Sequence, residues 1–199
     1  DYSWDNGGNW TNLITNFDTT TCTTFPWAIN NTTNTSLDNA MINISDTNQP
    51  LTYNNSPGFS VIGRLDLGQP NAADIILTYD GTAKYNITWT KEGGIQNIEI
   101  RYSNDSGATY PAGKIINASY PAGSSPYTLW TIPNDICSTL KMNITDTGNG
   151  DVYDESNNTF AIKGSMELLS PLGGENWTVN TKHDITWKTH GTYSENIVV

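Results

Sequence analysis

Apolar and polar residues alternate with a period of two along much of the chain. Tyr85, Ile87 and Trp89 alternate with Asn86, Thr88 and Thr90, the pattern of a strand with one buried face. Ile98 and Ile100 alternate likewise, as do Leu140, Met142 and Ile144. Further strands are predicted at Ile115–Asn117, Tyr127–Ile132 and Phe160–Ile162. Gly93-Gly94, Ser106-Gly107, Pro121-Ala122-Gly123, Pro133-Asn134 and Gly148-Asn149-Gly150 mark turns between them. No apolar stripe of helical period lasts beyond two turns. About seven short strands per hundred residues predicts an all-β fold of antiparallel sandwich type.

The pattern recurs. Tyr2-Ser3-Trp4-Asp5-Asn6-Gly7 matches Tyr102-Ser103-Asn104-Asp105-Ser106-Gly107, and Ile42-Asn43-Ile44-Ser45-Asp46-Thr47 matches Met142-Asn143-Ile144-Thr145-Asp146-Thr147. Trp27 pairs with Trp130 and Phe59 with Phe160. A second series links Leu67 to Leu168, and Ile87-Thr88-Trp89 to Ile185-Thr186-Trp187. The chain thus divides into the rear of one repeat (1–63), a whole repeat (64–164) and the front of another (165–199). Asn196-Ile197-Val198-Val199 followed by Asp1-Tyr2-Ser3 aligns without a gap on Asn97 to Ser103, so the two partial pieces sum to one repeat. A terminus in mid-strand exposes unpaired backbone and half a core. Two arrangements remain open: a window of a longer tandem chain, or a subunit that completes its neighbour's split domain. The start at Asp1, with no leader ahead of it, agrees with a mature product or a fragment.

Composition narrows the function classes. Of 199 residues, 25 are Asn, 28 Thr and 15 Ser, while only 15% are charged. A net charge of −11, with nine dispersed Lys and Arg, argues against nucleic acid, whose phosphates demand neutralisation. No apolar run is long enough to span a membrane. Two cysteines allow at most one internal bridge, so packed cores must hold the fold.

Leu169-Ser170-Pro171-Leu172-Gly173-Gly174-Glu175-Asn176-Trp177, followed by Ile185-Thr186-Trp187, resembles the opening of a prokaryotic surface repeat. The Ser103, Asp105, Gly107 hairpin, the Trp130, Ile132, Pro133 turn and the Asp154 to Phe160 close are similar to the same modules. The resemblance is to the immunoglobulin-like or fibronectin type III-like repeats of large secreted bacterial and archaeal proteins. It implies tandem immunoglobulin-like β-sandwich units of about 100 residues in an extracellular protein. It departs at Gly68-Gln69-Pro70-Asn71-Ala72, which lacks the Gly-Gly-Glu-x-Trp run.

Twelve Asn-x-Ser/Thr sequons stand where about five are expected by chance: Asn9, Asn30, Asn31, Asn34, Asn43, Asn54, Asn86, Asn104, Asn117, Asn143, Asn157 and Asn176. Asn43, Asn86 and Asn143 lie between inward apolar neighbours, so strand alternation is expected to turn them outward. They predict covalent N-glycans. Cys22 and Cys137 occupy non-equivalent places in their repeats, which leaves a bridge between domains or molecules, or free thiols. Trp27, Trp89, Trp130 and Trp187 are expected to anchor cores. Trp4, Trp10 and Trp177 have no such counterparts and are expected at cores or domain junctions, with surface platforms for sugars as the alternative.

Little suggests catalysis. The Ser-x-Asp-x-Gly hairpins resemble the Asp-box of sialidase-like propellers. Propeller blades repeat at about 40–50 residues, however, and the only arginines are Arg64 and Arg101. His183 and His190 have no repeat counterparts. Asp146, Asn149, Asp151, Asp154 and Glu155 place five oxygen ligands close together, but the matching stretch from Asp46 to Asn54 keeps one acid, so a solvated turn is expected instead of a Ca²⁺ site. The expectation is a non-enzymatic structural segment of a filament, stalk or sheath, free of cofactor or metal, partnered head-to-tail with itself. An adhesin, or an accessory module of a secreted hydrolase, is the alternative.

Overall fold

The computed structural model describes residues 1–18, 20, 24–29, 36–193 and 198, and of 36–38 the backbone only. The described chain is all-β, with one 3₁₀ turn at Ala112–Lys114. Strands β1 (Tyr2–Ser3), β2 (Ser36–Ser45), β3 (Tyr53–Asn55) and β4 (Phe59–Val61) form an antiparallel sheet in which β1, β3 and β4 all pair with β2. Next come β5 (Arg64–Gln69), β6 (Ile76–Thr78), β7 (Lys84–Glu92), β8 (Asn97–Ser103), β9 (Ile115–Pro121), β10 (Tyr127–Thr131), β11 (Cys137–Asp146), β12 (Tyr153–Glu155) and β13 (Phe160–Lys163). They make one sheet of order β10-β7-β5 and another of order β6-β13-β11-β8-β9, with β12 also on β11. The pairing of β13 with β6 is parallel. A hairpin of β14 (Ser165–Ser170) and β15 (Thr186–His190) ends the described strands.

The two sheets of 64–164 enclose a shared core. Leu67, Ile87 and Trp89 come from one sheet; Ile98, Ile100, Leu140, Met142 and Ile144 come from the other. Full burial of each aliphatic side chain stabilises by roughly 1.5–3 kcal/mol, so period-2 alternation is what selects these strands. Polar ties cross between the layers. The Trp89 indole N–H donates to the Ala122 carbonyl at 2.8 Å, and the Leu67 amide donates to the Asp154 carboxylate at 2.6 Å. The buried Ser156 hydroxyl accepts the Met142 amide at 2.9 Å and donates to the Pro70 carbonyl at 2.8 Å. Both partners are satisfied, as burial requires.

The same bonds recur about 100 positions apart. Ile42 donates to the Ser56 hydroxyl at 2.9 Å, as Met142 does to Ser156. Asn43, Ile44 and Ser45 pair with Asn55, Asn54 and Tyr53; Asn143, Ile144 and Thr145 pair with Glu155, Asp154 and Tyr153. At the other end, Leu168 faces Trp187 across the hairpin as Leu67 faces Trp89. Aromatic packing repeats as well: Trp27 stacks on Tyr2 at 5.3 Å, and Trp130 lies 5.9 Å from Tyr102.

Burial corrects part of the core expectation. Trp89 and Trp130 are each 4% exposed and anchor the core of 64–164. Trp187 is 39% exposed and Trp27 only half-buried, so neither is a full core residue of this chain. The reason is physical: a strand face is dry only where a second layer covers it, and β14–β15 has no second layer in the described chain.

Candidate functional site: joints and uncovered faces

Two polar hairpins organise equivalent ends of the units. The Ser103 hydroxyl donates to Asp105 at 2.5 Å and accepts the amides of Asp105 and Gly107. Asp105 in turn accepts the Thr109 amide at 2.9 Å and its hydroxyl at 2.6 Å. Ser3, Asp5, Gly7 and Asn9 repeat the arrangement, with the Asn9 side-chain amide in place of the Thr109 hydroxyl. Asn6 and Ser106 both adopt left-handed φ, near 57° and 63°, followed by glycines at 84° and 85°. These acids fasten turns.

Bonding sets their titration. The Ser103 hydroxyl, followed by the Thr109 hydroxyl and amide, lowers the Asp105 pKa from its ordinary 3.8 to about 2. The Asn9 amide, then Ser3, does the same for Asp5. A folded pKa below the unfolded one means that stabilisation is complete above the ordinary value and disappears as pH falls through about 2. Both carboxyl carbons should therefore titrate near 2 by NMR; midpoints close to 3.8 would contradict the bonding.

Two glycine-centred joints, one before β5 and one before β14, are built alike. Gly63 ends the first piece against the hairpin turn after β7: a Cβ there would lie 2.7 Å from Ile95 Cγ1 and 2.8 Å from the Glu92 carbonyl. Gly164 occupies the equivalent place in the second joint. Its Cβ would lie 2.5 Å from Tyr193 Oη and 2.6 Å from the His190 carbonyl. Only glycine permits this approach. The second joint is further tied by Asn134, which exchanges two hydrogen bonds with Thr192 at 2.9 and 3.0 Å, and by Tyr193, which donates to the Ser165 carbonyl at 2.9 Å. Beside the first joint, a cleft of about 500 Å³ is lined by Trp4, Asn39 and Val61 on one side and by Gln96, Asn97 and Asp146 on the other. Trp4 therefore sits at a junction.

The sequon asparagines fall into three environments. Asn9, Asn54, Asn86, Asn104, Asn157 and Asn176 are exposed, and Asn43 and Asn117 half-buried. Asn143 is a correction: it is buried, and its side-chain oxygen accepts the Thr145 hydroxyl at 2.7 Å. Its cross-strand neighbours are Arg101 and Glu155, whose long side chains shade the outer face of the sheet. Asn43 has the short Asn55 beside it. Asn30, Asn31 and Asn34 lie outside the described residues.

Other candidates separate. Cys137 carries a free, half-buried thiol, and Cys22 lies outside the described residues. Among the acids of the 146–155 loop, Asp154 holds the Leu67 amide, Glu155 binds Tyr110 and Lys141, and Asp146 accepts the Gly148 amide. Among the described residues, no group of three or more His, Cys, Asp or Glu is placed to hold a metal ion. His183 stacks on Trp177 at 4.6 Å, and the exposed Trp10 lies beside Gly7. Among the described residues, no helix is long and apolar enough to cross a membrane.

Half-buried, hydrogen-bonded Asp135 is a feature that sequence reading passed over. Burial raises its pKa, but hydrogen bonds from Lys114 and Tyr102 outweigh this and hold it below the ordinary carboxylate range. Desolvation and the Asp135 hydrogen bond push the Tyr102 phenol upward. The cluster pins β8 to the turn before β11. It is an internal brace.

The class so defined is an all-β protein of several antiparallel sheets, with equivalent hairpins and equivalent joints along its length. No protein-family model and no curated protein matches the chain.

Proposed function

We propose that this chain is a structural length of an extracellular, N-glycosylated filament, stalk or sheath, assembled from immunoglobulin-like sandwich units. The observation that carries this reading is the recurrence of one joint. Gly63 against Glu92 and Ile95 has the same partners in space as Gly164 against His190 and Tyr193. A glycine approach that recurs at each boundary gives each unit a similar rotation and rise relative to the last, which generates a regular extended array. Nine Lys and Arg against twenty Asp and Glu favour mutual repulsion over lateral clumping.

The role is mechanical and needs no catalyst or cofactor. Tandem units supply length, and tight glycine joints supply stiffness. Small-angle scattering of the intact chain tests this: a rod-like distance distribution is expected, and a compact one contradicts it. Glycans on Asn54, Asn86, Asn104, Asn157 and Asn176 would shield exposed strands from proteases and from edge-to-edge pairing. Peptide mapping of protein from its native source should find modified asparagine at several of these positions and unmodified Asn143. A heavily occupied Asn143 would contradict its burial, and unmodified asparagine throughout would contradict the glycan reading.

A further inference from the structure

We infer that the β14–β15 hairpin of one copy docks on the β1–β4 sheet of a second copy, completing there a two-layer unit like that of 64–164. The inference rests on the tandem-repeat reading and names its partner: this chain itself.

The template is internal. In 64–164, the inner face of β5 and β7 covers the inner face of β8 and β11. Leu67 and Ile144 are each 0% exposed as a result. Their equivalents stand uncovered: Leu168 is 49% and Ile44 74% exposed. Ile185 and Trp187 continue the first uncovered face, and Trp27 borders the second by stacking on Tyr2. Each half therefore lacks the layer that the other has. Among the described residues no strand pairing joins them within one chain, where the whole of 64–164 stands between.

The second copy is favoured over an unrelated partner by register as well as polarity. The hairpin keeps the pairing of its buried equivalent residue for residue, Ser165 with His190 as Arg64 with Glu92 and Leu168 with Trp187 as Leu67 with Trp89. The sheet keeps the pairing of β11 with β8, β12 and β13, with Tyr2 opposite Ile42 as Tyr102 is opposite Met142. A face offered at one end and accepted at the other is heterologous, so association stays open and grows.

Sedimentation velocity of the full chain over rising concentration tests the inference. The wild type should polymerise. Trp187→Asp, with Leu168→Asp as a second variant of the same face, should remain monomeric, and so should Ile44→Asp. All three positions are exposed in the single chain, so the melting of 64–164 should be unchanged. Mixed one to one, Trp187→Asp and Ile44→Asp retain one good face each and should form a dimer that does not grow. Polymers that survive either substitution, or a mixture without the dimer, overturn the inference. A wild type that is monomeric yet rod-like in scattering overturns this inference alone; a compact monomer overturns the tandem reading as well.

Discussion

Replacing Trp89 by alanine is expected to lower the stability of the 64–164 unit by about 3–5 kcal/mol, the usual cost of emptying a buried tryptophan site. Trp89 fills the centre of the core, donates to the Ala122 carbonyl at 2.8 Å and meets Tyr120 edge-on at 5.9 Å. The alanine variant leaves a cavity and an unpaired carbonyl together. Trp187→Ala, at the equivalent position of the last hairpin, should change the denaturant midpoint of the monomeric chain very little, because its ring is substantially exposed there. Far-UV circular dichroism in urea reads both. Equal losses would mean that the hairpin is already covered in the monomer, contrary to the layer account.

The second large effect is on shape. Valine at Gly63 or Gly164 forces a side chain into a backbone carbonyl, that of Glu92 or of His190, and a carbonyl within a strand ladder cannot rotate away as a side-chain tip can. The joint must open. Gly164→Val should keep the melting of 64–164 within about 0.5 kcal/mol, whereas Gly63→Val, whose side chain also meets the buried Ile95, should cost that unit about 1–3 kcal/mol; in both, the long-distance part of the scattering profile shifts. The double variant should shift it further. An unchanged profile would show that the joints are already loose and that the array has no fixed geometry.

Much of the fold was legible because local chemistry dictated it. Alternation at Tyr85–Thr90 and Leu140–Ile144 reports burial directly, and the serine, aspartate and glycine of each hairpin can satisfy one another within a few residues. Less local features escaped. The parallel strand Ile76–Thr78 is three residues long and shows no full alternation, so it becomes a strand only by lying along β13. Asn143 obeys the expected alternation, yet it is buried by cross-strand neighbours that no single-strand pattern includes. Trp187 has the sequence of a core residue and an exposed position, because among the described residues no second layer covers the β14–β15 hairpin. The joints were missed although their signal was present: Gly63 and Gly164 are repeat equivalents, and a glycine kept at the boundary of both units marks a close backbone approach.

Those joints and uncovered faces make one mechanical account, in which a constant step is repeated from unit to unit. Negative-stain electron microscopy of the purified chain at high concentration tests it most directly. Unbranched threads of uniform width are predicted, with an axial period of one or two units. Short particles of a single size at every concentration, or threads without an axial period, would contradict it.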